Sequence, residues 1–565
     1  IEAAGPLWAA THGGVLTGRA GEPEARPHQA QTWGLGRVLA LEHPRRWGGL
    51  VDLPEAADDA SVDRLAAVLS GLPHEEGDGH EDQVAVRASG TYARRLIRVP
   101  LEAEPAVREW NPRGTVLITG GTGGIGAQVA DWFARNGAGH LLLTSRRGPD
   151  APGAAELRAK LEELGVAVTL TACDMADRDA VAALVAGVPE DRPLTAVVHT
   201  AGVPQTYVSV TDTTAEDVAR ITSGKVAGAV HLDEVLGDTP LDAFVVFSSN
   251  AAVWGSGGQG AYAAGNAFLD LFAEARRARG RTATSVAWGA WGGGGMMALD
   301  GATEYMERRG VLEMAPELAI SAMVQAVEHD ETFVAVADVE WERLVLGFTA
   351  ARPSPLLAEL PEVRRALREA EGGGAEDATT GAALTARLTG LSENDQLKEL
   401  LELVRTEVAV VLGHSGTEGI EAGMAFKEIG FDSLTAVELR NRLAAATGLR
   451  LPASLVFDHT TPAALARHLR TQVVPESRGG AAESVLGGLE VLEAGVAGLV
   501  GDGESAVKVA ERLEALVWKL RDSGVVPGEG TAATVGSGPE AAEDDLASAS
   551  AEEMFDLLDK EWGDS

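Results

Sequence analysis

The sequence predicts a multidomain chain. A large α/β block, built on a parallel and doubly wound sheet, is followed by a compact all-α block and an acidic helical tail. Three observations carry this reading. Apolar strand-like runs alternate with helical stretches from Val116 onward. A glycine cluster, Gly120 to Gly126, stands between one such run and a helix. Beyond a Gly-rich break at 371–377 the apolar residues take up helical spacing only.

The elements follow in order. Short apolar runs at Leu7–Ala10, Gly49–Leu53 and Gln83–Arg87 open the chain without a chemical motif. Strands are expected at Val116–Thr119, His140–Thr144, Ala167–Leu170, Ala196–His199 and Ala243–Phe247, with helices between them. Further breaks at Pro475–Gly480 and Pro527–Gly538 set off the tail.

Composition bounds the function. With 565 residues and 45% hydrophobic content, the chain is long and apolar enough for several packed domains. Its charge of −37, from 47 basic and 84 acidic residues, argues against nucleic-acid binding. It suits either docking onto basic partners or plain solubility. No apolar stretch approaches the length of a membrane helix, and no signal peptide is evident. A single cysteine, Cys173, fits a reducing, cytoplasmic setting. Ile1 stands where a starting methionine would, which points to a piece of a longer polypeptide.

Thr119-Gly120-Gly121-Thr122-Gly123-Gly124-Ile125-Gly126 sits where a Rossmann-like dinucleotide site needs its turn. Glycine allows the tight bend and lets backbone N–H groups approach a pyrophosphate at a helix N-terminus. The next strand ends in Ser145-Arg146-Arg147. An NAD site places a carboxylate there; a hydroxyl and two guanidiniums favour the 2′-phosphate of NADPH. Cys173 and Asp174 follow the third strand, where Asp174 either accepts from the adenine amino group or caps a helix. His199, Ala201 and Gly202 end the fourth strand, close under the cofactor.

Ser249, Tyr262 and Asn266 follow the fifth strand, the last two four residues apart on one helix face. A tyrosine phenol is a weak acid at neutral pH, and a nearby ammonium lowers its pKa. Lys225, on the preceding helix, is the candidate. Ser249 then bonds a substrate carbonyl while Tyr262 donates the proton.

The block resembles the ketoreductase domain of modular type I polyketide synthases, a branch of the short-chain dehydrogenase/reductases. The matching segments are Leu117–Gly126, Ser145–Gly148, Phe247–Asn250 and Trp254–Asn266, and the resemblance implies a tetrad of Lys225, Ser249, Tyr262 and Asn266. Trp33–Arg37 and Trp47–Leu53 resemble the structural half that braces the catalytic half, its start cut short. The loop Gly202–Val208 lacks the Leu-Asp-Asp triplet of the D-hydroxyl type, and Trp254 stands eight before Tyr262. Gln259 replaces the histidine of the subtype that reduces epimerised substrates. The resemblance thus implies an A1-type reductase giving an L-hydroxyl, with Trp254 either biasing the side from which the substrate arm enters or simply packing. Trp288–Met297 reads as a mobile lid or an ordinary loop.

Phe431-Asp432-Ser433-Leu434, opening a helix from Ser433 to Ala446, resembles the 4′-phosphopantetheine attachment site of a polyketide acyl carrier protein. Asp432 suits a cap, leaving the Ser433 hydroxyl at a helix N-terminus that favours a phosphodiester. A tether there raises local substrate concentration toward roughly the millimolar range. In the tail, Val485, Leu489, Leu492, Val496 and Leu499, then Val509, Leu513, Leu516 and Leu520, form short heptad seams. Ser550 and Glu553 form a capping box before Phe555, Leu558 and Trp562. This resembles a C-terminal docking domain, the other reading being a disordered acidic tail.

The expected segmentation is a reductase structural subdomain (1–105), a catalytic subdomain (106–370), a linker (371–395), a four-helix carrier (396–473), a linker (474–482), dimerisation helices (483–524), a linker (525–540) and a docking helix (541–565). The implied activity is NADPH-dependent reduction of a carrier-bound β-ketoacyl thioester to its L-β-hydroxy form. The implied partners are a second copy, upstream condensing and acyltransferase domains, a downstream synthase subunit and a phosphopantetheinyl transferase, with no nucleic acid and no membrane. A carrier and docking scaffold with a silent reductase fold, and a free-standing alcohol dehydrogenase, are the alternatives. No metal site is expected.

Overall fold

In the computed structural model the described residues are 5–474, apart from 20–21, 57, 71–80, 100–104, 204, 206, 294–301, 373–377, 413, 415, 418, 432 and 453. The predicted dimerisation and docking helices lie outside the described residues.

The first half is a small sheet with two helices: β1 (Leu7–His12), α1 (Pro27–Glu42), β2 (Trp47–Leu53), α2 (Asp59–Leu69), β3 (Gln83–Arg87) and β4 (Gly90–Ala93). Strands β1, β2 and β3 are parallel, and β4 returns antiparallel on β3. Asp58 caps α2 through the Ser61 N–H at 2.8 Å. The buried Asp52 carboxylate accepts from Arg87 at 2.9 Å and from the Thr11 hydroxyl at 2.6 Å. Those bonds offset the cost of a charge removed from water.

The catalytic half begins with β5 (Thr115–Thr119), α3 (Gly124–Arg135), β6 (His140–Ser145), α4 (Ala154–Glu163), β7 (Ala167–Ala172), α5 (Arg178–Ala186) and β8 (Leu194–His199). It continues through α6 (Ala215–Thr222), α7 (Gly228–Leu236), β9 (Ala243–Ser249), α8 (Asn250–Val253), α9 (Gly260–Ala278) and β10 (Thr284–Trp288). It closes with α10 (Ala302–Arg308), β11 (Val311–Leu312), α11 (Pro316–Glu328), β12 (Phe333–Val336), β13 (Asp338–Val339), α12 (Trp341–Phe348) and α13 (Pro361–Gly372).

Seven parallel strands run in the order β12-β10-β9-β8-β5-β6-β7, the doubly wound arrangement expected. Alternation along β5 explains its unbroken apolar run. Val116 and Ile118 face one helical layer with Val129 and Phe133; Leu117 faces the other with Val197, Phe244 and Phe268. The strand order reverses between β5 and β8, so a crevice opens at their carboxyl ends, beside the glycine turn.

The two halves meet where α1 lies along α9, the helix that carries Tyr262 and Asn266. The approach is close enough that a Cβ on Gly34 would come 2.3 Å from the Ala263 carbonyl oxygen, so only glycine fits.

The carrier consists of α15 (Glu393–Leu412), α16 (Ser433–Thr447), α17 (Leu455–Asp458) and α18 (Pro462–Val473), preceded by α14 (Ala378–Thr389). Its core gathers Leu400, Val404, Val408, Leu439, Leu443, Leu465 and Leu469. The expected linker at 371–395 needs correction. Helix α14 occupies much of it, and Leu384 and Leu388 enter the carrier core, because apolar side chains next to a waiting hydrophobic groove gain more from burial than from a loose connection.

Candidate active site

The crevice is a cavity of 1290 Å³. Its floor at one end is the glycine turn. Helix α3 begins after Gly123, which offers no side-chain cap, so the first N–H groups face the cavity. A Cβ on Gly126 would stand 2.3 Å from the Gly120 carbonyl oxygen, so the turn closes only because residue 126 is glycine. Gly120, Thr122, Gly123, Gly124, Ile125, Ser145, Arg146, Arg147, Cys173, Asp174, Ala201 and Gly202 all line this cavity. Neither Arg146 nor Arg147 forms an ion pair among the described residues. An anion-binding turn with two guanidiniums at the ribose end fits NADPH. The Asp174 carboxylate accepts from the Ala176 N–H at 3.0 Å, while Asp177 caps α5, which settles that Asp174 is not the helix cap.

Thr119 and His199 depart from the expectation. Both are fully buried and do not line the cavity. Burial lowers the His199 pKa to about 4, so the ring is neutral. Its Nε2 lies 2.9 Å from the Lys225 carbonyl oxygen, which can only accept. Nε2 therefore carries the proton, and Nδ1 accepts from the Thr119 hydroxyl at 2.8 Å. His199 thus holds the turn that bears Lys225 from below the cavity.

That turn, Ser223–Ala227, is π-helical, which swings Lys225 inward. The Lys225 Nζ donates to the Phe247 carbonyl at 2.7 Å and lies 5.7 Å from the centre of the Tyr262 ring. Burial lowers its pKa to about 8. Ser249 ends β9, and its Oγ accepts from the Ala251 N–H at 3.3 Å. Burial raises the Tyr262 pKa, with hydrogen bonding from Ser249 and Asn266 pulling the other way. The expected lowering by Lys225 is not what governs this phenol: removal from water dominates, and Tyr262 keeps its proton. Lys225, Ser249 and Tyr262 line the same cavity. Asn266 lies beneath it, donating to the Tyr262 carbonyl at 2.8 Å, while its buried Oδ1 has no protein partner. Such an atom is where an ordered water belongs.

Trp254 and Gln259 also line the cavity. Trp254 meets the buried Trp341 edge-to-face, with ring centres 5.7 Å apart and planes at 74°. Two supporting residues escaped the sequence reading. The Gln205 carboxamide oxygen accepts from the Tyr262 backbone N–H at 2.9 Å. Glu42, at the end of α1, accepts from Ser209 Oγ at 2.9 Å, the Val210 N–H at 2.8 Å and the Gly258 N–H at 2.7 Å. It ties both loops of the site to the structural half. Neither belongs to a motif; a lone Gln or Glu gains a role only from neighbours far along the chain. Of the expected lid, Trp288 and Trp291 are buried core residues, and Gly294–Met297 lie outside the described residues.

In the carrier, Ser433 is the first residue of α16, as expected. Its side chain and the expected cap Asp432 lie outside the described residues. Among the described residues there is no cluster of metal-binding side chains and no helix long and apolar enough to cross a membrane.

Comparison with known proteins agrees with this layout. Residues 114–293 match the KR domain, 402–469 the phosphopantetheine attachment site, and 2–96 the Rossmann fold domain of the polyketide synthase extender module SpnB. The pikromycin polyketide synthase component PikAIII of Streptomyces venezuelae is 54% identical over 471 residues, 82% of this chain and 29% of that protein. The erythronolide synthase EryA3 of Saccharopolyspora erythraea is 48% identical over 83% of this chain and 14% of its own length. The chain therefore spans less than a third of these relatives. A solved A1-type ketoreductase superposes with a TM-score of 0.61 at 52% identity, over 64% of this chain and 75% of that one. A C2-type ketoreductase follows with a TM-score of 0.57 at 46% identity, over 63% and 75%. A cofactor cleft, a lysine–serine–tyrosine set on its wall and a serine-headed carrier helix thus stand in one sequence with these matches, and the chain belongs to the modular polyketide synthases, carrying an NADPH-dependent ketoreductase and a 4′-phosphopantetheine carrier domain.

Proposed function

We propose that this chain reduces a β-ketoacyl thioester tethered to Ser433, giving the L-β-hydroxyacyl thioester without epimerising the α-carbon. The observation that carries the reading is the convergence of Lys225, Ser249 and Tyr262 on a cavity whose wall includes Trp254 and Gln259. NADPH, when bound, supplies the hydride. The chain's own residues manage the carbonyl oxygen. Ser249 donates a hydrogen bond to it, and Tyr262 passes its phenolic proton to it as negative charge develops. The Lys225 ammonium stabilises the phenolate left behind. The Asn266 Oδ1 accepts from a water through which Tyr262 is reprotonated.

The stereochemical part rests on side chains, since A1- and C2-type folds superpose almost equally well. Trp254 is pinned by Trp341 on one side of the cavity, which favours admission of the substrate arm from a single direction. A fixed hydride face then fixes the product's hand. The complete tetrad speaks against a silent scaffold.

Stopped-flow loss of NADPH absorbance with a β-ketoacyl thioester tests the chemistry. Tyr262→Phe is expected to lower kcat about 10²–10⁴-fold. Unchanged turnover in that variant, or a D-hydroxyl product on chiral analysis, overturns the reading. In the same proposal, the tail 483–565 pairs two copies and hands the chain to a downstream subunit, upstream condensing and acyltransferase domains supply the ketone, and a phosphopantetheinyl transferase loads Ser433 in the cytoplasm. The heptad spacing and the acidic, apolar-striped end of the sequence support the tail's role.

A further inference from the structure

Helix α12 faces two ways. Leu344 and Phe348 line the active cavity. Arg343, Leu344, Gly347 and Phe348 also line a second hollow of 210 Å³, which shares Leu41, Trp254, Gly257 and Arg309 with the first. The two hollows therefore adjoin at Trp254. The carrier helix α16, headed by Ser433, packs against this same α12.

Two residues of α16 mark a covered face. The carrier's own core takes Ala436, Leu439 and Leu443 from this helix. Val437 stands off that stripe, yet it is only 4% exposed. Three residues on, the Arg440 Nε is buried without a partner, and burial pushes the guanidinium pKa down. Ser433, Val437 and Arg440 share one face by helical spacing.

The hollow is also unusual in charge. In a chain of net charge −37, its wall holds Arg37, Arg309, Arg343 and Arg352 against only Glu42 and Asp82. Both carboxylates are already engaged, Glu42 with backbone N–H groups and Asp82 with Arg352 at 3.3 Å. Arg343, half of its side chain exposed, pairs with Glu340 at 2.9 Å outside the hollow's lining. A phosphodiester arriving here meets an excess of positive charge.

We propose that α12 is the reductase's docking surface for its own loaded carrier. The pantetheine arm runs from Ser433 through the second hollow, past Trp254, and Arg309 and Arg343 hold its phosphodiester. This rests on the reductase reading above and adds to it the route of the substrate.

The test uses the full chain with its carrier unloaded and three soluble β-ketoacyl thioesters: of N-acetylcysteamine, of pantetheine and of 4′-phosphopantetheine. The phosphate is expected to lower KM about tenfold relative to pantetheine, and Arg343→Glu to erase that difference. Separately, the loaded chain is followed through one turnover by quenching and intact mass. Val437→Glu is expected to slow tethered reduction about tenfold while leaving N-acetylcysteamine thioester reduction within about twofold. Loading of the variant by a phosphopantetheinyl transferase, and an unchanged carrier melting transition, show that its carrier still folds; Val437→Ala is the milder substitute if it does not. Equal KM with and without the phosphate overturns the arginine clamp. An undiminished tethered rate in the Val437 variants overturns the docking surface. A chain that reduces none of the three thioesters fails the reductase reading itself, and this inference falls with it.

Discussion

The reductase and the carrier place their chemistry in opposite ways. In the reductase the working groups are sunk. Lys225 is 6% exposed, Asn266 is completely buried, and burial moves the Lys225 and Tyr262 pKa values in opposite directions. Their positions depend on residues from β5, β8, a π-helical turn, β9 and α9. The carrier has one reacting group, a serine at the start of α16, on a small helical core. A proton donor has to be over-determined by its surroundings; an attachment point needs only a stable helix start.

The contrast can be broken most completely at the carrier. Ser433→Ala is expected to abolish tethered reduction while free thioesters are still reduced at the unaltered rate, as read by intact mass and NADPH absorbance. Loss of both would mean that the domains are not chemically separable. Next in size, Leu443→Ala opens a cavity in the carrier core and is expected to cost about 2–5 kcal/mol, lowering only the carrier's melting transition. A single merged transition that shifts as a whole would join the two cores. Gly34→Ala forces a methyl group toward the Ala263 carbonyl and is expected to cost about 1–3 kcal/mol in the reductase, with kcat falling because α9 carries Tyr262. A wild-type kcat in that variant would show that α9 tolerates displacement.

The smallest effect is in pH. A lysine whose pKa is lowered to about 8 is charged below that value and neutral above it. If the ammonium is what stabilises the phenolate, kcat/KM for reduction is flat below about pH 8 and falls about tenfold per unit above it. Tyr262, with its pKa raised, adds no loss in that range. A profile flat to pH 10 would remove Lys225 from the mechanism.

What could be read from the sequence was local. The strand, the glycine turn and the helix that follow Thr115 lie within about two dozen residues, and each constrains the next. Tyr262 and Asn266 likewise share one helix. Supporting contacts could not be read in this way. His199 looks like a cofactor neighbour in the sequence, but its partners are Thr119 and Lys225, on opposite sides of it along the chain. Trp341 pins Trp254 from beyond a sheet edge, with nothing in its own neighbourhood to mark it. Helix α14 was hidden by the Gly-rich break beside it, since only the carrier core makes its leucines worth ordering.

The contact between α1 and α9, with Glu42 clipping the site's loops, has a consequence for anyone rebuilding such proteins by exchange. A splice between the small sheet and the large one would pair a foreign α1 with a helix shaped to a glycine on another backbone. Residues 7 to 348 are therefore best exchanged as one piece, since swaps made inside them trade one enzyme's bracing for a misfit in another's floor.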